Sequence, residues 1–307
     1  MEKKAIVLYS GGLDSRLAVM LLKDQGFDVE AVYFNLPFGC GCCNSSCNFN
    51  FTQVEEVKMK IFDATKGELL DEYLAILKDP QYGTGKGINP CKDCKVFMFR
   101  KAKEYADSIG VKVIATGEVL GQRPMSQLRS SMEIIDEALG FEILRPLSAK
   151  KLEETSWEKE GLVDRSKFFG IAGRGRKKQM ELAKNYGIKY PSSGGGCFLC
   201  EKAVSNRLTS LLGGDFVNEK TLPLSMIGRH FMIKGVWFVV SRNGAEGAII
   251  EDGEFGGGEI LEGVKGKPSI YYSKKGKANL EKAKELQEAY STGDNDKVRE
   301  KFEKIKL

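Results

Sequence analysis

Apolar residues in this chain fall into two spacings, contiguous and helical, and their alternation outlines the first two hundred positions. KAIVLY (4–9) is almost wholly apolar, as a strand covered on both faces must be. SRLAVMLLKDQG (15–26) has helical spacing and a glycine stop at Gly26. DVEAVYFNL (28–36) reads as a second strand, and VEEVKMKIF (54–62) continues the pattern. ELLDEYLAILKD (68–79) and the amphipathic VFMFRKAKEYADSIG (96–110) read as helices, and VKVIATG (111–117) as another buried strand. Strand, short crossover and strand make βαβ units, and hence a parallel sheet. After Leu212 the texture changes. Residues 230–260 mix short β-like runs with glycines and an Asn-Gly turn at Asn243–Gly244, and residues 277–307 close as charged helix. The expectation is an α/β protein: a parallel twisted sheet flanked by helices over 1–204, then a small β-rich domain with a terminal helix over 213–307.

The transition from the first strand to the first helix runs through SGGLDS (10–15). Glycines let backbone N–H groups converge, and a helix amino terminus adds positive potential, so this is an anion site. Ser10 and Ser15 add hydroxyl donors, and Asp14 is placed to share a Mg2+ ion with phosphates. The stretch lacks the closing Gly-Lys-Ser/Thr of a Walker loop and is not G-x-G-x-x-G.

Composition narrows the chemistry. The 307 residues hold eight cysteines and one histidine, His230. A Ser-His-Asp triad or a histidine-based zinc hydrolase is therefore excluded from the first domain. No apolar run is long enough to span a bilayer, and the run after Lys3 and Lys4 is too short for a signal peptide, so a cytoplasmic location is expected. In a reducing compartment eight cysteines point to metal binding or catalysis. NPCKDC holds Cys91 and Cys94, and GGGCFLC holds Cys197 and Cys200; two C-x-x-C pairs read first as a four-thiolate zinc or iron–sulfur site. A third group, Cys40, Cys42, Cys43 and Cys47, admits a Zn2+ site, a disulfide pair or a sulfur-handling loop. Net charge is +5, and Arg174, Arg176, Lys177 and Lys178 gather basic charge beside the second pair, which suits either a phosphate backbone or an ordinary solvated helical face. Arg123 and Arg129 are weaker candidates, and Arg229, His230, Phe231, Lys234 and Trp237 offer either an RNA-binding surface or an ordinary core.

SGGLDS resembles the PP-loop of the N-type ATP pyrophosphatase superfamily, with Ser10, Gly11, Gly12, Asp14 and Ser15 all matching. The resemblance implies an adenine nucleotide alpha hydrolase-like fold that binds ATP with Mg2+, with adenine near Tyr33 and Phe34 and near Thr116–Gly117. CKDCKVFMFRKAKEYADSIGVKVIATGEVLGQRPMSQ (91–127) and LRPL (144–147) look like the core of cluster-dependent tRNA 4-thiouridine synthetases. PSSGGGCFLC (191–200) is similar to the segment of tRNA 2-thiouridylases that carries the sulfur-transferring cysteine, here Cys197. Asp14 and Cys197 are thus the implied catalytic residues. In related thiolases a C-x-x-C and one distant cysteine hold a [4Fe-4S] cluster, which by position means Cys91, Cys94 and Cys197; Cys200 and the Cys40–Cys47 loop are extra. The amino-terminal RNA-binding region of 4-thiouridine synthetases is expected to be absent. The implied activity is ATP-dependent thiolation of a tRNA uridine to 4-thiouridine or 2-thiouridine: adenylation of a carbonyl oxygen with pyrophosphate release, then sulfur attack. The implied partners are tRNA and a sulfur donor, either sulfide or a persulfide-carrying protein, with a homodimer admissible. Competing expectations are a zinc-containing amidoligase of the 7-cyano-7-deazaguanine synthase type and a non-catalytic ATP- or RNA-binding zinc protein.

Overall fold

The computed structural model describes residues 3–39, 57–191, 196–293 and 295–307. Cys40, Cys42, Cys43 and Cys47 lie outside these. The chain divides into two units, Met1–Phe198 and Leu199–Leu307.

The first unit contains β1 (Lys4–Leu8), α1 (Leu13–Lys23), β2 (Asp28–Asn35), β3 (Lys58–Asp63), α2 (Gly67–Lys78), α3 (Cys91–Ser108), β4 (Val113–Thr116), α4 (Arg129–Leu139), α5 (Ser156–Lys159) and α6 (Lys177–Asn185). The strands form one parallel sheet in the order β3-β2-β1-β4. Successive side chains of a strand point to opposite faces, which explains the contiguous apolar runs. On one face Ala5, Val7, Val29, Ala31, Val113 and Ala115 pack with Leu13, Leu17 and Leu21 of α1 and Ala183 of α6. On the other, Ile6, Leu8, Val32 and Ile114 pack with Val96, Phe99 and Ala102 of α3 and Ile135 of α4. The result is the three-layer α/β arrangement expected from the sequence.

From β1 the sheet grows one way to β2 and the other way to β4. Loops leaving adjacent strands in opposite directions open a crevice at their carboxyl ends, where open α/β sheets bind ligands. Ser10–Gly12 leave β1 there, and Gly117 leaves β4. The helix read over 96–110 extends back to Cys91, so the C-x-x-C opens it as expected; Pro90 is at the cap position and the Cys94 amide bonds the Pro90 carbonyl (2.9 Å). Asp93 sits in its first turn, where a carboxylate suits the helix dipole. It also accepts bonds from the backbone amides of Gln81 (2.8 Å) and Tyr82 (3.2 Å), fixing the preceding loop to the C-x-x-C.

The second unit contains α7 (Lys202–Gly213), α8 (Leu222–Met226), β5 (Arg229–Ile233), β6 (Val236–Val240), α9 (Gly244–Glu251), β7 (Glu259–Leu261), β8 (Ile270–Tyr272), α10 (Lys277–Ala289) and α11 (Asp296–Glu303). Its sheet is antiparallel in the order β5-β6-β8-β7. Phe231, Phe238, Val240, Ile270 and Tyr272 pack with Ala283, Leu286 and Phe302 of the two terminal helices. Two local expectations are corrected. Asn243–Gly244 is not a strand turn: Asn243 caps α9, its side chain accepting from the Glu246 amide (3.0 Å). The tight hairpin is at Lys234–Gly235, whose φ values of +48° and +71° suit the right-handed twist of β5 and β6. The closing helix is also two helices, separated at residues 290–295.

Candidate functional site

The loop after β1 is shaped by its own residues. Gly11 has φ +74°, a conformation glycine adopts without strain. Arg16, 1% exposed, donates from Nε to the Gly11 carbonyl (2.8 Å), turning that oxygen toward the protein. Ser15 Oγ donates to the Gly12 carbonyl (2.9 Å), and Ser10 Oγ accepts weakly from the Gly12 amide (3.4 Å). Gly12 caps α1 without any side-chain cap, so the first amides of the helix stay available to an anion.

Gly117 is the point of closest approach to this loop. A Cβ there would lie 2.4 Å from the Asp14 carbonyl carbon and 2.4 Å from the Ser15 nitrogen. Thr116 beside it is buried. Glu118 follows, paired with Lys95 (3.1 Å) and Arg145 (3.1 Å), while Arg145 also grips Asp136 (2.6 Å). Burial would raise the Glu118 carboxyl, but the two cations outweigh it and hold it below its usual range. This ion network locks the end of β4 against α3 and α4.

Asp14 is buried enough that its carboxyl is raised, even though Gln122, Arg176, Arg123 and Gln179 all favour the charged form. Gln122 Nε2 donates to Asp14 Oδ2 (2.6 Å), and Gln179 Nε2 donates to Gln122 Oε1 (2.9 Å). Gln179 was hidden from sequence reasoning. It sits among lysines at a helix start and looks like part of a solvated face, yet it is 0% exposed. Of the expected basic cluster, Arg176 is the member brought beside Asp14, together with Arg123. Arg129 is spent on the Lys151 carbonyl (2.9 Å).

Of the two aromatic residues expected at adenine, Phe34 belongs to an aromatic layer. It stacks on Phe62 (4.9 Å between ring centroids) and meets Phe97 edge-on (6.3 Å). Tyr33 precedes it, so strand alternation sets the two on opposite faces, and at most one lines a single pocket.

The thiols of Cys91, Cys94 and Cys197 form one neighbourhood. Burial pushes the Cys94 thiol up to about 12, and its neighbours Cys197 and Cys91 act in the same direction. Cys197 Sγ donates to the Phe38 carbonyl (3.0 Å), which ties it to the segment leaving β2. Cys91 Sγ donates to Asn89 Oδ1 (3.1 Å). Tyr73, also at this centre, is buried and hydrogen-bonded with Cys94. Cys200 belongs to the second unit. Among the described residues, no three or more His, Cys, Asp or Glu side chains form a group that could hold a metal ion. A lone tetrahedral zinc needs thiolates about 3.8 Å apart, following from Zn–S bonds of about 2.3 Å. A cluster attaches each thiolate to a different iron and fits a wider set.

A cavity of about 500 Å³ also opens in the first unit, lined by Glu133, Asp136, Glu142, Glu153 and Glu158 among others. Its acidic wall disfavours phosphate. In the second unit, His230 and Trp237 are core. Trp237 Nε1 donates to His230 Nδ1 (3.0 Å), the rings stack at 5.7 Å, and burial lowers the imidazole to about 3. Phe231 is also fully buried, so this set offers Arg229 and exposed Lys234 alone to a partner.

The sequence model of the thiamine biosynthesis protein (ThiI) family matches residues 1–160, more than half of the 307. The chain belongs to the ThiI family. Similar solved structures include a 4-thiouridine synthetase–RNA complex with bound ATP, at 19% identity and TM-score 0.43, covering 73% of this chain and 52% of that one. The chain thus spans about half the length of that synthetase. A predicted tRNA methyltransferase subunit from Methanocaldococcus jannaschii is similar at 17% identity and TM-score 0.34, covering 60% of this chain and 76% of that one. The ThiI match takes in the loop, Asp14, Gln122 and the first C-x-x-C; Cys197 and Gln179 lie beyond it. No helix among the described residues is long and apolar enough to cross a membrane.

Proposed function

We propose that this chain is an ATP-dependent tRNA uridine thiolase, with 4-thiouridine as the product favoured by the GQ, SQ and RPL spacing of residues 121–147. The observation that carries the reading lies within the first unit. The loop of residues 10–15 leaves the carboxyl end of β1 beside Gly117 at the end of β4, and Cys197, a neighbour of Cys94, bonds the Phe38 carbonyl beyond β2; this supports the reading.

ATP binds with its phosphates on the amides of residues 11–15, and Arg176 and Arg123 supply positive charge from the side. Asp14 shares the Mg2+ ion that accompanies the nucleotide. The uridine carbonyl oxygen attacks the α-phosphorus, and the bond to the β-phosphate bridging oxygen breaks. Pyrophosphate leaves into the loop, whose donors stabilise the growing charge. Hydrosulfide then adds to the activated carbon, the C–O bond breaks with AMP as leaving group, and the sulfur's proton departs with the released phosphates. No histidine base is needed, because a sulfur anion is nucleophilic unaided.

Cys91, Cys94 and Cys197 would hold a [4Fe-4S] cluster, which supplies an iron site for the incoming sulfide when bound. Sulfide itself or a persulfide-carrying protein is the donor. The partner is tRNA, whose phosphate backbone suits the lysines and arginines of residues 174–178. The test is pyrophosphate release from ATP in the presence of tRNA and sulfide, with nucleoside mass spectrometry of the tRNA. A new thionucleoside is expected. Pyrophosphate release that ignores tRNA, with no sulfur gained, would refute the assignment.

A further inference from the structure

Two glutamines far apart in sequence converge on Asp14, and what they do there rests on the reading of Ser10–Ser15 as a nucleotide site. Gln122 comes from the loop after β4, and Gln179 from the first turn of α6. Gln179 Nε2 donates to Gln122 Oε1 (2.9 Å), and Gln122 Nε2 donates to Asp14 Oδ2 (2.6 Å). The direction of this relay is fixed at its end, since an ionised carboxylate only accepts. Both amides must therefore present nitrogen toward Asp14.

Three polar atoms around the relay have no hydrogen-bond partner though buried: Asp14 Oδ1, Gln179 Oε1 and Arg176 Nε. Buried polar atoms are nearly always satisfied, so a cluster of exceptions calls for a ligand. The two acceptors suit a hydrated cation, and the donor suits a phosphate. The choice of amides matters. A lysine or arginine bonded to Asp14 would fix the carboxylate equally well, but it would cancel the charge that a cation needs. An amide fixes it and leaves the charge intact. Arg176 and Gln179 are three residues apart on the same turn, so α6 delivers the phosphate donor and the far end of the relay together.

We propose that Gln122 and Gln179 are positioning residues that grip Asp14 through Oδ2. They thereby reserve Oδ1, with its full negative charge, for the Mg2+ ion of a nucleotide whose polyphosphate meets Arg176. Neither glutamine touches the reacting atoms; both act through Asp14.

Gln122→Met and Gln179→Met keep side-chain length and delete the amides. The probe is a non-hydrolysable ATP analogue, titrated calorimetrically at a series of Mg2+ concentrations, with a melting curve for each variant. The Mg2+ concentration for half-maximal binding is expected to rise about tenfold in Gln122→Met, the scale of one hydrogen bond to a charged group. A smaller rise is expected in Gln179→Met, with Mg2+-free binding as in the native chain. The double variant is expected to exceed Gln122→Met by less than the product of the single effects, because both glutamines bear on one carboxylate and on each other. Should Gln179→Met fail to fold, Gln122→Met carries the same test from its half-buried loop. An unchanged Mg2+ requirement in a folded Gln122→Met chain, or fully multiplicative effects, would overturn the relay. Native protein that binds the analogue without regard to Mg2+ would do so as well. If the native chain binds Mg2+ and nucleotide but gives no tRNA-stimulated pyrophosphate release, the thiolase reading fails while the relay stands.

Discussion

Replacing Gly117 with alanine adds one carbon at the tightest point between the two loops of the crevice. That carbon would stand 2.4 Å from the Asp14 carbonyl carbon, 2.4 Å from the Ser15 nitrogen and 2.5 Å from the Asp14 oxygen, where ordinary contact begins at 3.4 Å. Every clashing atom is backbone, so no rotamer change relieves it. The start of α1 and the end of β4 must separate by about 1 Å, the shortfall between those distances. Overpacking of this kind costs about 1–3 kcal/mol. For a unit of this size that lowers the melting temperature by roughly 2–10 °C. The functional loss is expected to be larger, since a displacement of about 1 Å costs on the order of 100-fold in rate. Calorimetric titration with ATP and Mg2+, a pyrophosphate-release assay and a melting curve read the two effects separately. Gly213→Ala is the control: it ends a helix, and a Cβ there meets nothing within 4 Å. A Gly117→Ala chain that melts, binds and turns over like the native protein would show that the loop and Gly117 do not meet as described.

Further outcomes are expected. Cys91→Ser, Cys94→Ser and Cys197→Ser should each lose the iron content and visible absorption gained on anaerobic reconstitution, while Cys200→Ser keeps them; equal loss in all four would make Cys200 a fourth ligand. Burial holds the His230 imidazole down to about 3, against an ordinary value of 6.5, so the unfolded chain binds the extra proton between those values and stability falls as pH drops through that window. Between pH 7 and pH 5 the loss is about 2 kcal/mol. The fluorescence of Trp237 in a Trp157→Phe background reports it, and a pH slope unchanged by His230→Gln would disprove the link. Arg145→Leu leaves the buried Glu118 with Lys95 alone and should destabilise the first unit by about 3 kcal/mol in denaturant titration. A change under about 1 kcal/mol would mean that Lys95 suffices.

Much of the first unit was legible because its signals are local. Val7 and Ile6 are apolar neighbours because one faces α1 and the other α3. Ser10–Ser15 carry their own turn geometry. The failures share a different cause. Asn243-Gly244 is equally good chemistry for a turn and for a helix cap, and only the strand pairing of β6 with β8 decides between them. Gln179 gains its role from Gln122, 57 positions earlier, and no periodicity in either segment encodes that meeting. For His230 the sequence admits a surface or a core role, and its bonds to Trp237 and to the Ile227 carbonyl decide for the core.

Arg16 carries a consequence for how a nucleotide arrives. Its Nε–H holds the Gly11 carbonyl inward through a bond made wholly within the chain, so folding itself can set the form of the loop. Fixing the backbone of one residue costs about 1–2 kcal/mol, and here a visiting phosphate is spared that ordering. On the proposed nucleotide reading, the loop is a preformed socket for the phosphates. Under that reading, choosing among nucleobases falls to residues past the phosphates, and base selectivity is expected to change there without touching the socket.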